Sequence, residues 1–296
     1  MIKLKLFLKG MAMGAANVIP GVSGGTVAFI TGIYERLIYA LKNIDLEAIK
    51  LLFGGKIKDL AIKIDLTFLV VLFAGVFVSI LSLAKLLEIA FERYEVLTLS
   101  FFFGLIIASV LAVARQISKV SSGVIITFII GCAIAIGIAF LPPTQPNDSF
   151  LYLMLCGVVA VCSMILPGLS GSYILLLMGN YVLVLRAISS LDIAILLPVA
   201  LGCVIGLILL SRLLSYLFEQ FKNETISILV GFVAGSLLII WPWKTTISEE
   251  FDGKIKAVGY EWNLPSIGTD FFYALLLILL GFLIVYVMER KSSNRT

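Results

Sequence analysis

The sequence predicts an all-α polytopic membrane protein made of two inverted-topology repeats, each one re-entrant helical hairpin followed by three transmembrane helices. Three observations carry that prediction. The 296 residues are 61% hydrophobic and 14% charged, with a mean hydropathy of +1.13, too apolar for an ordinary soluble domain. Uncharged runs long enough to cross about 30 Å of hydrocarbon recur along the chain, where a β-barrel would show short alternating segments. One stretch also occurs twice: N-V-I-P-G-V-S-G-G-T-V-A-F-I-T-G-I-Y from Asn17 to Tyr34, and M-I-L-P-G-L-S-G-S-Y-I-L-L-L-M-G-N-Y from Met164 to Tyr181. Pro20 matches Pro167, Gly21 matches Gly168, Ser23 matches Ser170 and Gly24 matches Gly171, all at the same offset, which marks a duplicated unit with a helix-breaking element in each copy.

The first repeat is placed at residues 1–145. Its opening, M-I-K-L-K-L-F-L-K-G, is basic and lacks a small-residue cleavage site, so it reads as a mature cytoplasmic end. The first uncharged run lies between Lys9 and Glu35, and both of its flanks are basic. The positive-inside rule puts both flanks in the cytoplasm, so residues 10–40 are expected to enter and leave on one side as a hairpin folded at Pro20-Gly21. A single spanning helix kinked at the proline fits the length as well, but leaves one basic flank outside. Residues 46–65 mix Lys50, Lys56, Lys58 and Lys63 with Ile49, Leu52, Phe53, Ile57 and Leu60 around Gly54-Gly55, an amphipathic pair of turns suited to the inner leaflet. Three spans follow, near Leu66–Ala84, Val96–Ala114 and Gly123–Leu141, and then a compact exterior loop, P-P-T-Q-P-N-D.

The second repeat is placed at residues 146–296. Its uncharged run from Ser149 to Leu185 would measure about 55 Å as one helix, so a hairpin over 150–186 folded at Pro167-Gly168 fits better. Spans near Ile193–Ser211, Thr225–Trp241 and Phe271–Met288 complete the chain, with a polar exterior loop at 244–270. Beyond the hairpins the repeats stay in register at a second offset: Gly75 matches Gly202, Lys85 matches Arg212, Glu92 matches Glu219, Thr98 matches Thr225 and Gly104 matches Gly231. The amphipathic insert accounts for the change of offset. One hairpin plus three crossings is an odd count, which inverts the second copy relative to the first. The resulting topology puts 16 of the 22 Lys and Arg residues inside, so both termini are expected in the cytoplasm and the chain in the cytoplasmic (inner) membrane.

Inversion brings the two motifs to the midplane from opposite faces. Proline removes an N–H and glycine leaves amides uncovered, so each broken helix restarts with donors suited to a phosphate or carboxylate. The expected phosphate ligands are Asn17, Ser23, Gly24, Gly25 and Thr26 from the first motif, and Ser170, Gly171 and Ser172, beside Tyr173, from the second. Lys85 with Glu92 and Arg212 with Glu219 are repeated pairs at matching span ends; facing a cavity, the cations serve the phosphate and Glu92 or Glu219 carries a coupling proton. As solvated helix ends they only snorkel. Arg36 and Arg186, at the ends of the second hairpin arms, suit either a gate for an anionic headgroup or an interfacial anchor.

Cys132, Cys156, Cys162 and Cys203 lie in apolar runs without CxxC spacing and read as packing residues. With no histidine in the chain, many hydrolase and metal mechanisms fall away. No metal, cofactor or nucleic-acid partner is expected, and membrane lipids are the expected surroundings.

The chain, and above all G-A-A-N-V-I-P-G-V-S-G-G-T near its N-terminus, resembles over nearly its full length the prokaryotic polyprenyl-phosphate (undecaprenyl phosphate) translocases of the PopT type. That family was formerly catalogued as a domain of unknown function. The resemblance implies recycling of undecaprenyl phosphate, the lipid carrier of peptidoglycan precursors, from the outer to the inner leaflet; the two inverted halves are expected to do this by alternating access to one midplane site. Two other readings use the same parts. Integral-membrane undecaprenyl-pyrophosphate phosphatases share inverted repeats, re-entrant hairpins and a P-G-x-S-R-S sequence, but Gly24 and Gly171 stand where the arginine belongs and no histidine is available. A small-anion transporter or channel would employ the same half-helix ends.

Overall fold

The computed structural model describes residues 2–18, 23–251 and 254–293; the Pro20-Gly21 fold point and the side chains of Lys85 and Glu92 lie outside the described set. The chain is mostly helical, and among the described residues five helices are long and apolar enough to cross a membrane, or six if the bent pair of short helices at 171–190 counts as one. It is a multi-pass membrane protein. In order, it forms α1 (Ile2–Val18), α2 (Gly24–Ile30), α3 (Tyr34–Lys42), α4 (Leu46–Phe53), α5 (Ile57–Lys63), α6 (Leu66–Ala114), α7 (Ser122–Ala139), α8 (Phe150–Ile165), α9 (Gly171–Leu177), α10 (Tyr181–Ser190), α11 (Ile193–Gln220), α12 (Lys222–Ser236), β1 (Lys244–Phe251), β2 (Lys254–Trp262) and α13 (Thr269–Ser293).

Four helix pairs make the frame, and each closes through glycine. α1 packs on α6 where Gly10 meets Gly75, and α8 packs on α11 where Gly157 meets Val199 and Gly202 meets Met154. The later part of α6 packs on α13 through Gly104 and Gly281, and α7 packs on α12 through Gly131 and Gly231. A methyl group on any of these eight glycines would sit 2.0–2.3 Å from a carbonyl oxygen of the facing helix. In lipid, where hydrophobic burial does not drive helices together, such close backbone approach supplies the dispersion contacts that do. The contacts come in matched sets. α1 on α6 corresponds to α8 on α11, and the second crossing of each half packs on the third crossing of the other.

Several boundaries differ from the sequence reading. α1 starts at Ile2, not near residue 10, so Lys3, Lys5 and Lys9 lie on the helix. The first two spans of the first half are not separated by a loop. A-K-L-L-E-I-A-F-E-R-Y contains strong helix formers and neither Gly nor Pro, so α6 runs through, broken only at Tyr94 (φ −140°, ψ 46°). Its match in the second half, Phe221 (φ −135°, ψ 54°), breaks the run between α11 and α12 in the same way. Thr98 Oγ1 donates to the Ala90 carbonyl across the first break (3.1 Å), and Thr225 Oγ1 donates to the Phe221 carbonyl at the second (2.7 Å).

The helical segment that follows each Pro-Gly motif is itself broken. α2 turns into α3 at Gly32 (φ +68°) and α9 into α10 at Gly179 (φ +73°), the latter pair bent by 113°. Such left-handed backbone favours glycine. Each turn has a donor from the helix before the motif, α1 or α8, on the carbonyl that ends the short helix: Lys9 Nζ on Thr31 (2.5 Å), and the Tyr152 hydroxyl on Met178 (3.0 Å). Finally, the expected exterior loop at 244–270 holds an antiparallel hairpin with a register irregularity at Ile247/Ser248, so the fold is not purely helical. Trp262 Nε1 donates to the Leu238 carbonyl (2.8 Å) and Trp241 Nε1 to the Asn263 carbonyl (3.0 Å), within a chain of ring contacts from Phe103 through Trp241 and Trp243 to Phe271. Aromatic residues with a polar edge suit a membrane–water boundary.

The insert forms α4 and α5, split at Gly54-Gly55 as expected. Asp45 caps α4 through the Ala48 amide (2.9 Å), Lys63 pairs with Asp45 and Glu47, and Arg36 pairs with Asp65 (2.7 Å) at the start of α6. Leu46, Phe53 and Ile62 are each more than 70% exposed, an apolar face consistent with an interfacial segment.

Candidate functional site

The two copies of the repeated motif meet directly. Thr26 Oγ1, on α2, accepts a hydrogen bond from the Gly168 amide (2.8 Å), and Ser23 Oγ donates to the Met164 carbonyl (3.3 Å). Gly25 faces the end of α8, where an added Cβ would lie 2.5 Å from the Ile165 oxygen. Gly168 combines φ +85° with an approach to α12 that would leave a Cβ 2.5 Å from the Phe232 oxygen. Glycine is therefore required at Gly25 by space alone, and at Gly168 by both space and conformation. Each contact follows from the local sequence: Pro167 ends α8, Gly168 turns the chain, and the hydroxyls of Ser23 and Thr26 satisfy groups that the broken helices leave open.

The copies are not equivalent. In the first, Ser23, Gly24, Gly25 and Thr26 are all buried, and the amides of Gly24, Gly25 and Thr26 are satisfied within the protein. Asn17 Oδ1 accepts from the Gly24 amide (2.8 Å), Ser23 Oγ accepts from the Gly25 amide (3.1 Å), and the Ser23 carbonyl accepts from the Thr26 amide (2.9 Å). Asn17 thus stands as a helix cap. In the second copy, Ser170 makes no side-chain cap to α9. Its Oγ lies 3.1 Å from Ser172 Oγ, and the two side chains are half-buried and exposed respectively. The hydroxyl of neighbouring Tyr173 is buried and has no hydrogen-bond partner among the described residues. The polar groups still open to a ligand are thus those of the second motif.

The charged residues fall elsewhere. Arg36 pairs with Asp65, and its guanidinium lies 4.4 Å from the centre of the Phe68 ring, tying α3 to the start of α6. Glu219 accepts from Lys42 Nζ (3.1 Å) and Ser215 Oγ (3.0 Å). Arg212 and Arg186 are exposed. Lys85 and Glu92 lie on α6, and their side chains fall outside the described residues. A phosphate role for Arg36, or a proton-carrying role for Glu219, requires these pairs to open. Among the described residues, no group of three or more metal-ligating side chains forms a cluster.

Sequence reading passed over Asn180. Its Nδ2 donates to the Asn147 carbonyl (2.7 Å) and its Oδ1 accepts from the Asn147 amide (3.0 Å), which fastens the P-P-T-Q-P-N loop to the α9–α10 turn. The available signal was the departure from the repeat, since Ile33 occupies the matching place.

The chain is similar over nearly its whole length to two proteins of known name. The chain is 38% identical over 300 residues to the polyprenyl-phosphate transporter of Vibrio cholerae, covering 98% of this chain and 97% of that protein. It is 28% identical over 305 residues to the polyprenyl-phosphate transporter of Staphylococcus aureus, covering 97% and 96%. No solved structure matches. The family model described as VCA0040-like, undecaprenyl phosphate translocase-like, matches residues 13–257, a stretch that includes both motifs and both helix breaks, and the chain belongs to that family.

Proposed function

We propose that this protein moves polyprenyl phosphate, in the form of undecaprenyl phosphate, across the cytoplasmic membrane, returning the lipid carrier from the outer to the inner leaflet. The observation that carries this reading is the near-full-length similarity to a relative named as a polyprenyl-phosphate transporter. The chemistry is consistent. A phosphate monoester carries about −1.5 to −2 charge near neutral pH, which hydrocarbon does not admit unaided. A site of hydroxyls and uncapped amides at the meeting point of the motifs lowers that barrier while the tail stays in lipid. On the described geometry, Ser170, Ser172 and the Gly171 amide are the contacts to the headgroup. Ser23, Gly24, Gly25, Thr26 and Asn17 hold the tip that supports them. Arg186, Arg212 and Lys85 are candidate counter-charges.

In this reading residues 1–145 and 146–296 are inverted repeats with re-entrant hairpins, and both termini are cytoplasmic. The matched glycine contacts, the paired breaks at Tyr94 and Phe221 and the inside excess of Lys and Arg support it. The protein acts as a carrier and not as a phosphatase: the P-G-x-S-G motifs lack arginine, and histidine is absent.

The test is headgroup flipping in proteoliposomes containing polyprenyl phosphate. Ser170→Ala/Ser172→Ala is expected to slow flipping at least tenfold, with no release of inorganic phosphate from the pyrophosphate lipid and no competition from short soluble phosphates. Unchanged flipping removes the second motif from the mechanism. Phosphate release would make the protein an enzyme.

A further inference from the structure

The two helix breaks share one backbone geometry but not one environment. At Phe221, α3 lies across the break. Lys42 holds Ser215 (2.8 Å) and Glu219 (3.1 Å) before it, Glu35 holds Lys222 (2.9 Å) after it, and the Tyr34 ring packs edge-on against Phe218 at 6.1 Å. Leu214 and Phe218 are each only 4% exposed beneath this cover. At Tyr94 the matching residues Leu87 and Phe91 are only half-buried, and Tyr94 is 60% exposed. A cleft of about 480 Å³ opens there, lined among others by Leu87, Tyr94, Phe101, Phe102 and Leu277.

The helix that matches α3 is α10, and it packs elsewhere. It lies against α9 and α11, with Val184 in a small apolar cluster with Leu153 and Val199. Both α3 and α10 therefore pack on α11, although the repeat relation would send α10 to the Tyr94 break of α6 as α3 goes to the Phe221 break. The apolar face that α3 lays on the Phe221 break is nonetheless repeated in α10: Tyr34, Leu37, Ile38 and Leu41 have Tyr181, Val184, Leu185 and Ile188 as counterparts. Ile188 is 56% exposed. The charges are not repeated, since Val182 and Ser189 stand where α3 has Glu35 and Lys42.

We infer that the cleft at the Tyr94 break is the docking surface for α10 of the same chain, occupied in a second conformation in which α10 crosses from α11 to α6 and α3 withdraws from the Phe221 break. The inference rests on the proposed reading of two inverted repeats that exchange roles during transport. Its physical basis is that one backbone geometry, with apolar walls of the same kind, is filled on one side by an apolar helix face, and the chain carries a second copy of that face. The ion pairs of Lys42 and Glu35 fasten only the α3-docked state. They are half exposed and each contributes little, so they bias the two states severalfold without locking one.

The test uses full-length protein in proteoliposomes, with the four cysteines replaced by alanine. The contact between Lys42 and Ser215 has Ser189 with Glu88 as its mirror. Ser189→Cys/Glu88→Cys is expected to be bridged by a short bismaleimide during turnover, and Lys42→Cys/Ser215→Cys at rest, each bridge arresting flipping. Adding Lys42→Gln and Glu35→Gln to the first pair should raise its bridging severalfold. Absence of the Ser189–Glu88 bridge while the protein transports and the Lys42–Ser215 bridge forms would overturn the inference. So would labelling of Phe101→Cys by a lipid-borne probe throughout the cycle, since the cleft would then belong to lipid. If unbridged protein moves no polyprenyl phosphate, the transport reading fails, while exchange between the two bridges still reports whether α10 docks.

Discussion

Replacing Thr26 by valine tests whether the contact between the two motifs holds the site together. Valine keeps the shape and removes the acceptor of the Gly168 amide, which donates to Thr26 Oγ1 at 2.8 Å with Thr26 only 1% exposed. No rearrangement of Gly168 can easily recover a partner, because its φ of +85° and its approach to Phe232 fix its position. A buried amide left unsatisfied costs roughly 1–3 kcal/mol, equivalent to about 5- to 150-fold in an equilibrium. Thermal melting of the detergent-solubilised protein should fall by on the order of 5 °C, and flipping in proteoliposomes should fall with it. Thr26→Ser, which restores the oxygen, should recover most of both. A valine variant that melts and transports like the parent would show that the motif contact is incidental, and the account of the first motif as the support for the second would go with it.

Gly25→Ala should be as damaging as Thr26→Val, because its Cβ meets backbone at 2.5 Å and not a movable side chain; strain of about 1–3 kcal/mol should appear in melting and as loss of flipping. Ser23→Ala removes the α2 cap at the Gly25 amide and should cost about 1 kcal/mol, read by the same melting curve. Lys244 donates to the Ile239 carbonyl, and burial pushes its pKa down from 10.5 to about 8. The unfolded chain then holds that proton more tightly than the folded one, so melting temperature should rise between about pH 8 and 10.5, the two values that bound the window. Lys244→Met should flatten that rise.

Much of the architecture was legible because the features that build it leave strong marks in sequence. The doubled P-G-x-S-G, the glycines of the four helix pairs and the lysine-flanked insert each correspond to a backbone requirement that only a few residue types meet. The breaks at Tyr94 and Phe221 left no such mark. Each is one residue with unusual dihedrals inside a run of helix formers, invisible to propensity. The turns at Gly32 and Gly179 did leave one, since both glycines recur at the same spacing, but the Pro-Gly signal nearby dominated the reading. The β-hairpin escaped notice because its alternation is short and polar in an otherwise apolar chain. Asn17 shows a different limit: composition marks an amide side chain beside bare backbone donors, but only geometry shows that it already caps Gly24.

The inequality of the motifs follows from how a buried polar turn must be stabilised in lipid. On the proposed topology, two opposed turns of bare backbone at membrane depth cannot both remain uncapped, because each unsatisfied donor there costs free energy that no water recovers. The first motif resolves this internally: Asn17 Oδ1 accepts from the Gly24 amide, Ser23 accepts from the Gly25 and Thr26 amides, and Thr26 Oγ1 accepts from the Gly168 amide of the second motif. That closure makes it a rigid wedge, and rigidity is what an open site beside it needs, since a headgroup cradle gains affinity from donors already held in place. The second motif keeps its hydroxyls at Ser170 and Ser172 free of a capping duty, at a position backed by Gly171 against Ala160 and Met164. Exchanging the two sequences tests this division directly. Grafting G-L-S-G-S-Y onto 21–26 should remove the Gly25 and Thr26 contacts and melt the junction, whereas grafting G-V-S-G-G-T onto 168–173 should leave the fold intact and weaken headgroup transport through loss of the Ser172 hydroxyl. Equal tolerance of both grafts would mean that the motifs are interchangeable and that the asymmetry has no part in transport.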